Sequence, residues 1–211
     1  MFLYDFISGF NIKGEVLEVG GGCGVLGLLL KRDFPKINLT VIEKQKLMYE
    51  FIIENSKINN LELDALNEDF LEYEFDKKFD FIVSNPPFYQ GTLKSDNEIK
   101  RIARYEEFLP MDKLFKKVNS LLKERGEFIF CYDAKRIDDI ISQMPKPLKI
   151  TDLRFFYPRN NKNATLVLIR AKRHAKSMVK IHPPLIGFEG NEYSSEAKKI
   201  YKKANTKSIK I

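Results

Sequence analysis

Four consecutive residues, Asn85, Pro86, Pro87 and Phe88, join an amide, two prolines and an aromatic ring just after an apolar run, from which only Ser84 separates them. The run, residues 79 to 83, is typical of a buried strand in a parallel sheet, so the four residues lie where that strand ends. Proline fixes its own φ at about −65° and keeps the preceding residue extended. The Asn85 side-chain oxygen and the Pro86 carbonyl are therefore two rigidly held acceptors, unless the segment is an ordinary turn.

Two fixed acceptors are suited to an amino group that has two N–H bonds. The exocyclic amine of a nucleic-acid base is a poor nucleophile because its lone pair is delocalised into the ring, and acceptors for both N–H groups make that pair available. Phe88 adds a ring face on which an extruded base can stack, an interaction of about 1 to 3 kcal/mol. The pattern predicts catalysis at an amine by Asn85, Pro86, Pro87 and Phe88, with no requirement for a metal ion.

A glycine-rich segment earlier in the chain predicts a nucleotide-binding loop. Residues 22 to 27, GCGVLG, fit the pattern G-x-G-x-x-G between a predicted strand and a predicted helix. Glu43 ends the next predicted strand, where a carboxylate accepts hydrogen bonds from ribose hydroxyls. No lysine stands where a phosphate loop would place one, which argues against nucleotide hydrolysis. The cofactor is therefore NAD or S-adenosylmethionine, and the amine-binding pattern at Asn85 favours S-adenosylmethionine.

Strand-like and helix-like runs alternate along the chain and must position these residues. Strands are predicted at residues 15–20, 38–42, 61–66, 79–83, 127–132, 148–157 and 164–171. Helices are predicted at residues 25–33, 44–58, 111–123 and 134–144, with a further short helix at the N-terminus. The alternation predicts an α/β fold with a mostly parallel seven-stranded sheet and helices on both faces. Because no helix separates the last two strands, we expect them to pair as an antiparallel hairpin at one edge.

The charges are distributed unevenly along the 211 residues. Residues 151 to 211 hold 14 Lys and Arg against 4 Asp and Glu, net +10, whereas residues 1 to 150 hold 22 against 25, net −3. A basic segment on a mildly acidic body suits a polyanionic substrate such as nucleic acid, although such a run can also be a solvated tail. We expect contacts to RNA phosphates from six basic residues: Arg159, Lys162, Lys198, Lys199, Lys202 and Lys203.

Composition excludes several other classes of protein. With 44% hydrophobic residues the chain can bury a core, no apolar run approaches the ~18 residues that cross a bilayer, and the N-terminus does not resemble a secretion signal. Cys23 and Cys131 lack metal-ligand spacing, and we interpret them as loop and core fillers. His174 and His182 have no partner acid in the pattern and are interpreted as surface residues. We expect a monomeric, cytoplasmic protein without a metal ion or membrane contact.

Four segments, taken in order, resemble the S-adenosylmethionine-dependent methyltransferases of the Rossmann-like class that modify amines. They are residues 18–24 (EVGGGCG), Glu43, residues 67–70 (NEDF) and residues 85–88 (NPPF). The resemblance implies a class I methyltransferase fold with S-adenosylmethionine as the cofactor. In that class the acid at the position of Asp69 contacts the cofactor adenine and Phe70 packs beside it, although Asp69 also fits a surface acid or a helix cap. The cofactor-binding residues that it implies are Glu18, Gly20, Gly22, Gly24, Glu43, Asp69, Phe70 and Asn85.

The Asn-Pro-Pro-aromatic motif is shared by adenine-N6 methyltransferases, guanine-N2 methyltransferases of ribosomal RNA and glutamine-N5 methyltransferases of release factors. The segments NPPFYQG, ARYEE and HPPLIGFEGNEYSSEAKKIY resemble the tRNA(Val) adenine-N6 methyltransferase family, which modifies adenine 37 beside the anticodon. The resemblance implies methylation of adenine N6 in tRNA, with tRNA as the partner. The guanine and glutamine activities remain alternatives, and an RNA-binding subunit that retains the fold is the alternative that is not an enzyme.

The resemblance also implies a division of the chain. We expect a methyltransferase domain at residues 1–171 and a basic extension at residues 172–211 that packs on or beside the same domain. Members of the family carry a further segment before the point where this chain starts, and that segment helps to cover the cofactor. This departure from the family pattern bears on how tightly the cofactor is held.

Overall fold

The predicted alternation of strands and helices is present in the protein. The structure is a computed structural model and describes residues 1–89 and 98–207. The helices are α1 (Phe2–Ser8), α2 (Val25–Asp33), α3 (Lys46–Asn59), α4 (Glu98–Arg104), α5 (Met111–Leu121), α6 (Ile137–Gln143) and α7 (Ser195–Ala204). The strands are β1 (Glu15–Val19), β2 (Asn38–Ile42), β3 (Asp64–Leu66), β4 (Phe79–Ser84), β5 (Leu122–Asp133), β6 (Leu148–Arg159), β7 (Leu166–Arg173), β8 (Lys180–Ile181), β9 (Leu185–Glu189) and β10 (Glu192–Tyr193).

All described strands belong to one sheet with the order β10-β9-β6-β7-β5-β4-β1-β2-β3, and β8 also pairs with β6. Strands β3, β2, β1, β4 and β5 are parallel to one another. Strand β7 runs antiparallel to both β5 and β6. The predicted α/β fold, with a mostly parallel sheet and a C-terminal antiparallel hairpin, is confirmed.

Apolar side chains cover both faces of the central strands, as expected for parallel strands under helices. Leu17 of β1 points into a core shared with Phe115 of α5, whereas the next-door Val16 faces a second core shared with Leu30 of α2 and Ile52 of α3. Each of these side chains is fully buried. Burying a side chain of this size stabilises the fold by roughly 1.5 to 3 kcal/mol. The central strands are therefore held in place by one core on each face of the sheet.

The sheet carries three short strands beyond the seven predicted, namely β8, β9 and β10. Another difference concerns β5, which begins at Leu122 rather than at residue 127. Leu122 is fully buried and pairs with Phe79, and the pairing then shifts so that Glu127 lies opposite Phe81. Because Leu122 fills the core beside β4, α5 ends at Leu121 and Gly126 lies inside the strand.

The extension packs on the same sheet as the rest of the chain. Strand β9 pairs in parallel with β6, and α7 packs against β9 and α1. Arg32 of α2 donates hydrogen bonds to the carbonyls of Lys203 and Ala204 at 3.1 and 2.7 Å. A cation at the last turn of α7 satisfies carbonyls that have no partner within the helix.

His182 has a partner acid, so its interpretation as an unpaired surface residue was wrong. Its Nε2 lies 2.9 Å from Asp152 Oδ1, and Arg170 donates to the other Asp152 oxygen at 3.1 Å. The contact arises because β8 pairs with β6 in a register that sets Lys180 opposite Asp152. His174 is exposed, as predicted.

Candidate active site

A cavity of about 460 Å³ opens at the carboxyl ends of β1 and β4. The strand order reverses there, since β2 lies on one side of β1 and β4 on the other, and ligands of open α/β sheets bind at such a point. The structure brings together seven predicted cofactor residues in the lining: Glu18, Gly20, Gly22, Glu43, Asp69, Phe70 and Asn85. Pro87 lines it as well, whereas Gly24, Pro86 and Phe88 are described residues outside the lining.

The glycine loop owes its path to two positions that only glycine fills without strain. Gly24, the first residue before α2, has φ +83°, a left-handed conformation. Gly21 lies so close to β2 that a Cβ added there would stand 2.2 Å from Val41 Cγ1. The loop therefore runs tightly over the end of β1 and leaves the cavity above it open.

Glu43 is held in place by backbone donors. Its Oε2 accepts a hydrogen bond from Gly22 N and its Oε1 from Gln45 N, both at 2.8 Å. Asn67 secures the same turn by donating to the Glu43 carbonyl at 2.9 Å. Burial raises the pKa of the Glu43 carboxyl, and the backbone donors at Gln45 and Gly22 oppose that shift. Each carboxylate oxygen keeps acceptor capacity toward the cavity.

Glu18 is a buried acid with an oxygen that has no partner. It is 3% exposed, and among the described residues its Oε2 has no hydrogen-bond partner. Burial raises the pKa of Glu18 to about 8; the nearby Gly27 N–H opposes that rise, and the Glu43 carboxylate adds to it. The Oε2 atom lies against α2, since a Cβ added at Gly27 would stand 2.3 Å from it. Glu18 also lines the cavity, where its carboxyl suits a ligand group that donates a hydrogen bond.

Asp69 is both a local cap and a cavity residue. Its Oδ1 accepts a hydrogen bond from Leu71 N at 2.9 Å, and its Oδ2 forms an ion pair with Lys44 at 2.7 Å. Burial alone would raise the pKa of Asp69, but Lys44 and the Leu71 N–H hold it below its ordinary value. Asp69 is therefore a fixed carboxylate, and the buried ring of Phe70 lies beside it in the lining.

Asn85 stands at the end of β4 with its side chain turned toward β5. The Cys131 thiol donates a hydrogen bond to Asn85 Oδ1 at 2.9 Å, and both residues line the cavity. Pro86, the second residue of the motif, is buried. Phe88 is half-buried, with its ring centroid 5.5 Å from that of Tyr132 and 5.2 Å from that of Tyr89. Gln90 and Gly91, the end of the quoted segment NPPFYQG, lie outside the described residues.

Sequence reasoning missed two walls of the cavity. Phe2 of α1 lines one side, and Ile102 of α4 and Phe108 line another. Arg136 fixes the second wall by donating to Glu106 Oε2 at 2.5 Å. The only sequence signals for these two walls were the short helix predicted at the N-terminus and the segment ARYEE. Neither contains a residue type that indicates ligand binding.

The six predicted RNA-binding residues differ in their surroundings. Lys203 forms an ion pair with Asp5 at 3.2 Å and lies over the ring of Tyr4, so it fastens α7 to α1. Lys198 forms an ion pair with Glu192. The remaining four are exposed and, within residues 1–89 and 98–207, have no ion-pair partner: Arg159, Lys162, Lys199 and Lys202.

Among the described residues no group of three or more His, Cys, Asp or Glu could hold a metal ion. Of the helices described, none combines the length and the apolar character needed to cross a membrane.

Comparison with known proteins gives a family match and several relatives. The family model described as methyltransferase small domain matches residues 2–136. A curated relative from Bacteroides thetaiotaomicron, named tRNA1(Val) (adenine(37)-N6)-methyltransferase, is 33% identical over 117 residues, 54% of this chain and 49% of that protein. A protein of the same name from Christiangramia forsetii is 29% identical over 178 residues, 81% of this chain and 68% of that protein. The chain spans about half the length of several curated relatives that it matches.

Solved structures share the fold at low sequence identity. A predicted O-methyltransferase from Agrobacterium tumefaciens superposes with a TM-score of 0.69 at 13% identity, covering 93% of this chain and 92% of that one. A methyltransferase from Pyrococcus furiosus gives a TM-score of 0.58 at 20% identity, covering 80% of each chain. At these identities the likeness concerns the fold.

Proposed function

Because the chain belongs to the methyltransferase small domain family, we propose that it transfers a methyl group from S-adenosylmethionine to the N6 amine of adenine 37 in tRNA(Val). The observation that carries this proposal is the convergence of Glu18, Glu43 and Asn85 on one cavity at the strand ends. The names of the curated relatives support the choice of adenine N6 and tRNA over guanine N2 and over protein glutamine.

The cavity residues fit the proposed cofactor. S-adenosylmethionine supplies an electrophilic methyl group on a cationic sulfonium. The glycine loop leaves room beside the strand end, and Glu43 offers two fixed oxygens that suit the ribose hydroxyls. Glu18 lines the same cavity, and its carboxyl suits a hydrogen-bond-donating group of the cofactor. Asp69 and Phe70 would hold the adenine, one by its carboxylate and the other by its ring.

Asn85 and Pro86 would orient the adenine amine. The Asn85 Oδ1 and the Pro86 carbonyl would each accept a hydrogen bond from one N–H of the amine. The nitrogen lone pair would then be free to form the new N–C bond. Once that bond has formed and a neutral thioether has left, the methylated nitrogen would give up one proton to water, so no general base is required beforehand. Phe88 would offer a face for the extruded base, and its packing on Tyr132 keeps the ring in one position.

Four exposed cations would hold the tRNA by its phosphates: Arg159 and Lys162 at the end of the β6–β7 hairpin, and Lys199 and Lys202 in the extension. We include residues 172–211 in the methyltransferase domain because β9 and α7 complete its sheet edge. The monomeric state and the cytoplasmic location stay predictions.

The proposal is tested with purified full-length protein, methyl-labelled cofactor and four substrates. These are tRNA(Val), the same tRNA with guanine at position 37, ribosomal RNA and a release factor. We expect label in tRNA(Val) and none in the guanine-substituted tRNA. Label confined to ribosomal RNA or to the release factor would contradict the adenine assignment. Failure to bind the cofactor by calorimetry, with no label in any substrate, would favour the non-catalytic RNA-binding subunit.

A further inference from the structure

Cys131 is a buried thiol that touches the amide proposed to bind the substrate amine. It lies on β5, which pairs with β4 so that Phe130 stands opposite Ser84. Cys131 follows Phe130 on β5, and Asn85 follows Ser84 at the end of β4. The distance from Cys131 Sγ to Asn85 Oδ1 is 2.9 Å. Cys131 is 4% exposed, and it lines the same cavity as Glu18 and Asn85.

The thiol is a hydrogen-bond donor over the whole working range of pH. Burial raises the pKa of Cys131 to about 12. A protonated thiol donates to an oxygen, whereas its sulfur is only a weak acceptor for an amide N–H. The contact therefore favours the rotamer in which Asn85 places its oxygen, and not its NH₂ group, beside β5. Among the described residues the Asn85 amide has no second hydrogen-bond partner.

The position of that oxygen matters for the amine. A carboxamide oxygen has two lone pairs, so Oδ1 can accept the thiol proton and one amine N–H together. If the amide rotated by half a turn, its NH₂ group would face the amine N–H bonds and repel them. Pro86 fixes the backbone at Asn85 but leaves this side-chain rotation free.

We propose that Cys131 is a positioning residue, which sets the Asn85 amide so that its oxygen receives the substrate amine. This inference rests on the proposed function, because it assigns a task to Asn85 in the methyl transfer. It gives Cys131 a part in the reaction beyond the core-filling role that its residue type indicates.

Three substitutions separate hydrogen bonding from packing. Cys131→Ala and Cys131→Val both remove the donor, and valine keeps more of the side-chain volume. Each should lower kcat about fivefold, the loss expected for one neutral hydrogen bond, with cofactor affinity unchanged. Cys131→Ser keeps a donor and should recover most of the turnover that the alanine variant loses. Equal turnover in the alanine, valine and serine variants would overturn the proposal.

A matched control lies on the same face of the same strand. Ile129 is fully buried, two residues before Cys131, and it lies opposite Val83 of β4 rather than beside Asn85. Ile129→Val should lower the melting temperature as the Cys131 variants do, and leave turnover unchanged. A loss of turnover in that control equal to the loss in Cys131→Ala would show that strand packing, and not the thiol, is responsible.

A double variant distinguishes failure of this inference from failure of the proposed function. In an Asn85→Ala background, Cys131→Ala should have no further effect on turnover. If wild type methylates no tRNA, the proposed function fails. If wild type is active and Cys131→Ala matches it, the positioning role alone fails.

Nuclear magnetic resonance of the Asn85 side-chain amide gives a readout without turnover. In wild type and Cys131→Ser, we expect one set of NH₂ signals with a high order parameter. In Cys131→Ala the amide should become mobile. An amide equally ordered in all three proteins would contradict the inference.

Discussion

The cavity and the C-terminal extension hold their polar side chains in opposite ways. Around the cavity, Glu18 and Glu43 are 3% and 6% exposed, and backbone donors or packing fix their positions. In the extension, Lys199 and Lys202 are exposed and, in the described part of the chain, have no ion-pair partner. A fixed group can act on one bond of a ligand, whereas a free cation attracts a polyanion from many directions. The two regions should therefore respond differently to mutation, pH and salt.

The largest effect should come from the cavity, at Asn85. Asn85→Ala removes a preorganised acceptor for the amine and should lower turnover by about 10² to 10³ while cofactor affinity stays the same. Turnover and calorimetric affinity are measured on the same preparation. Asn59→Ala, which alters an exposed asparagine on α3, is the matched control. Normal turnover in Asn85→Ala would end the catalytic assignment.

The next effect concerns Glu43 and cofactor binding. Glu43→Ala removes two acceptors at the proposed ribose position, one of them charge-assisted, and should weaken cofactor affinity by roughly 2 kcal/mol. Calorimetric titration measures this value. Glu50→Ala, at an exposed glutamate of α3, should leave the affinity unaltered. The ribose contact is wrong if both variants bind the cofactor as wild type does.

A pH-dependent effect should follow from Glu18. Its pKa in the folded protein, about 8, lies above the ordinary value of 4.5, so the folded state binds the proton more tightly than the unfolded state. The stability that this gives is complete below pH 4.5 and is lost as pH rises through 8. The slope from this group is at most about 1.4 kcal/mol per pH unit.

Glu18→Gln removes the titrating group and isolates its contribution. The difference in the free energy of unfolding, variant minus wild type, should increase between pH 5 and pH 8. Denaturant unfolding at several pH values measures that difference and cancels the contributions of other carboxyls. A constant difference would mean that Glu18 titrates alike in the folded and unfolded protein.

The smallest effect per residue is expected in the extension and its neighbouring hairpin. Substituting Arg159 and Lys162 with alanine should weaken tRNA binding by about 1 kcal/mol per contact at moderate salt. It should also reduce the slope of log affinity against log salt by about 0.7 to 0.9 per contact. Cofactor affinity should not change. Lys36 and Lys57 are exposed lysines of the body, and their double alanine variant is the control. Identical salt slopes in the two double variants would show that Arg159 and Lys162 do not contact tRNA phosphates.

Local pattern was sufficient for two of the elements that border the cavity. The predicted bounds of α2 and β2 are those of the structure, because α2 begins at a glycine loop and β2 is a short apolar run. The position of Asn85 after β4 followed from the same kind of pattern. Parallel strands place such residues at one edge, so the candidate site could be assembled from the sequence.

The remainder depends on contacts between distant residues. The short β8 and β9 exist because they pair with β6, and the contact between His182 and Asp152 follows from that pairing. Cys131 was predicted as a core residue, and its hydrogen bond to Asn85 requires the register of β5 on β4. Sequence periodicity carries no information on such registers.

The most direct test of the proposed methyl transfer is mass spectrometry of nucleosides from tRNA(Val) of the source organism with the gene deleted. We predict that N6-methyladenosine at position 37 is absent after deletion and returns when the wild-type gene is restored. The gene for Asn85→Ala should not restore it. Unchanged N6-methyladenosine in the deletion strain would contradict the account.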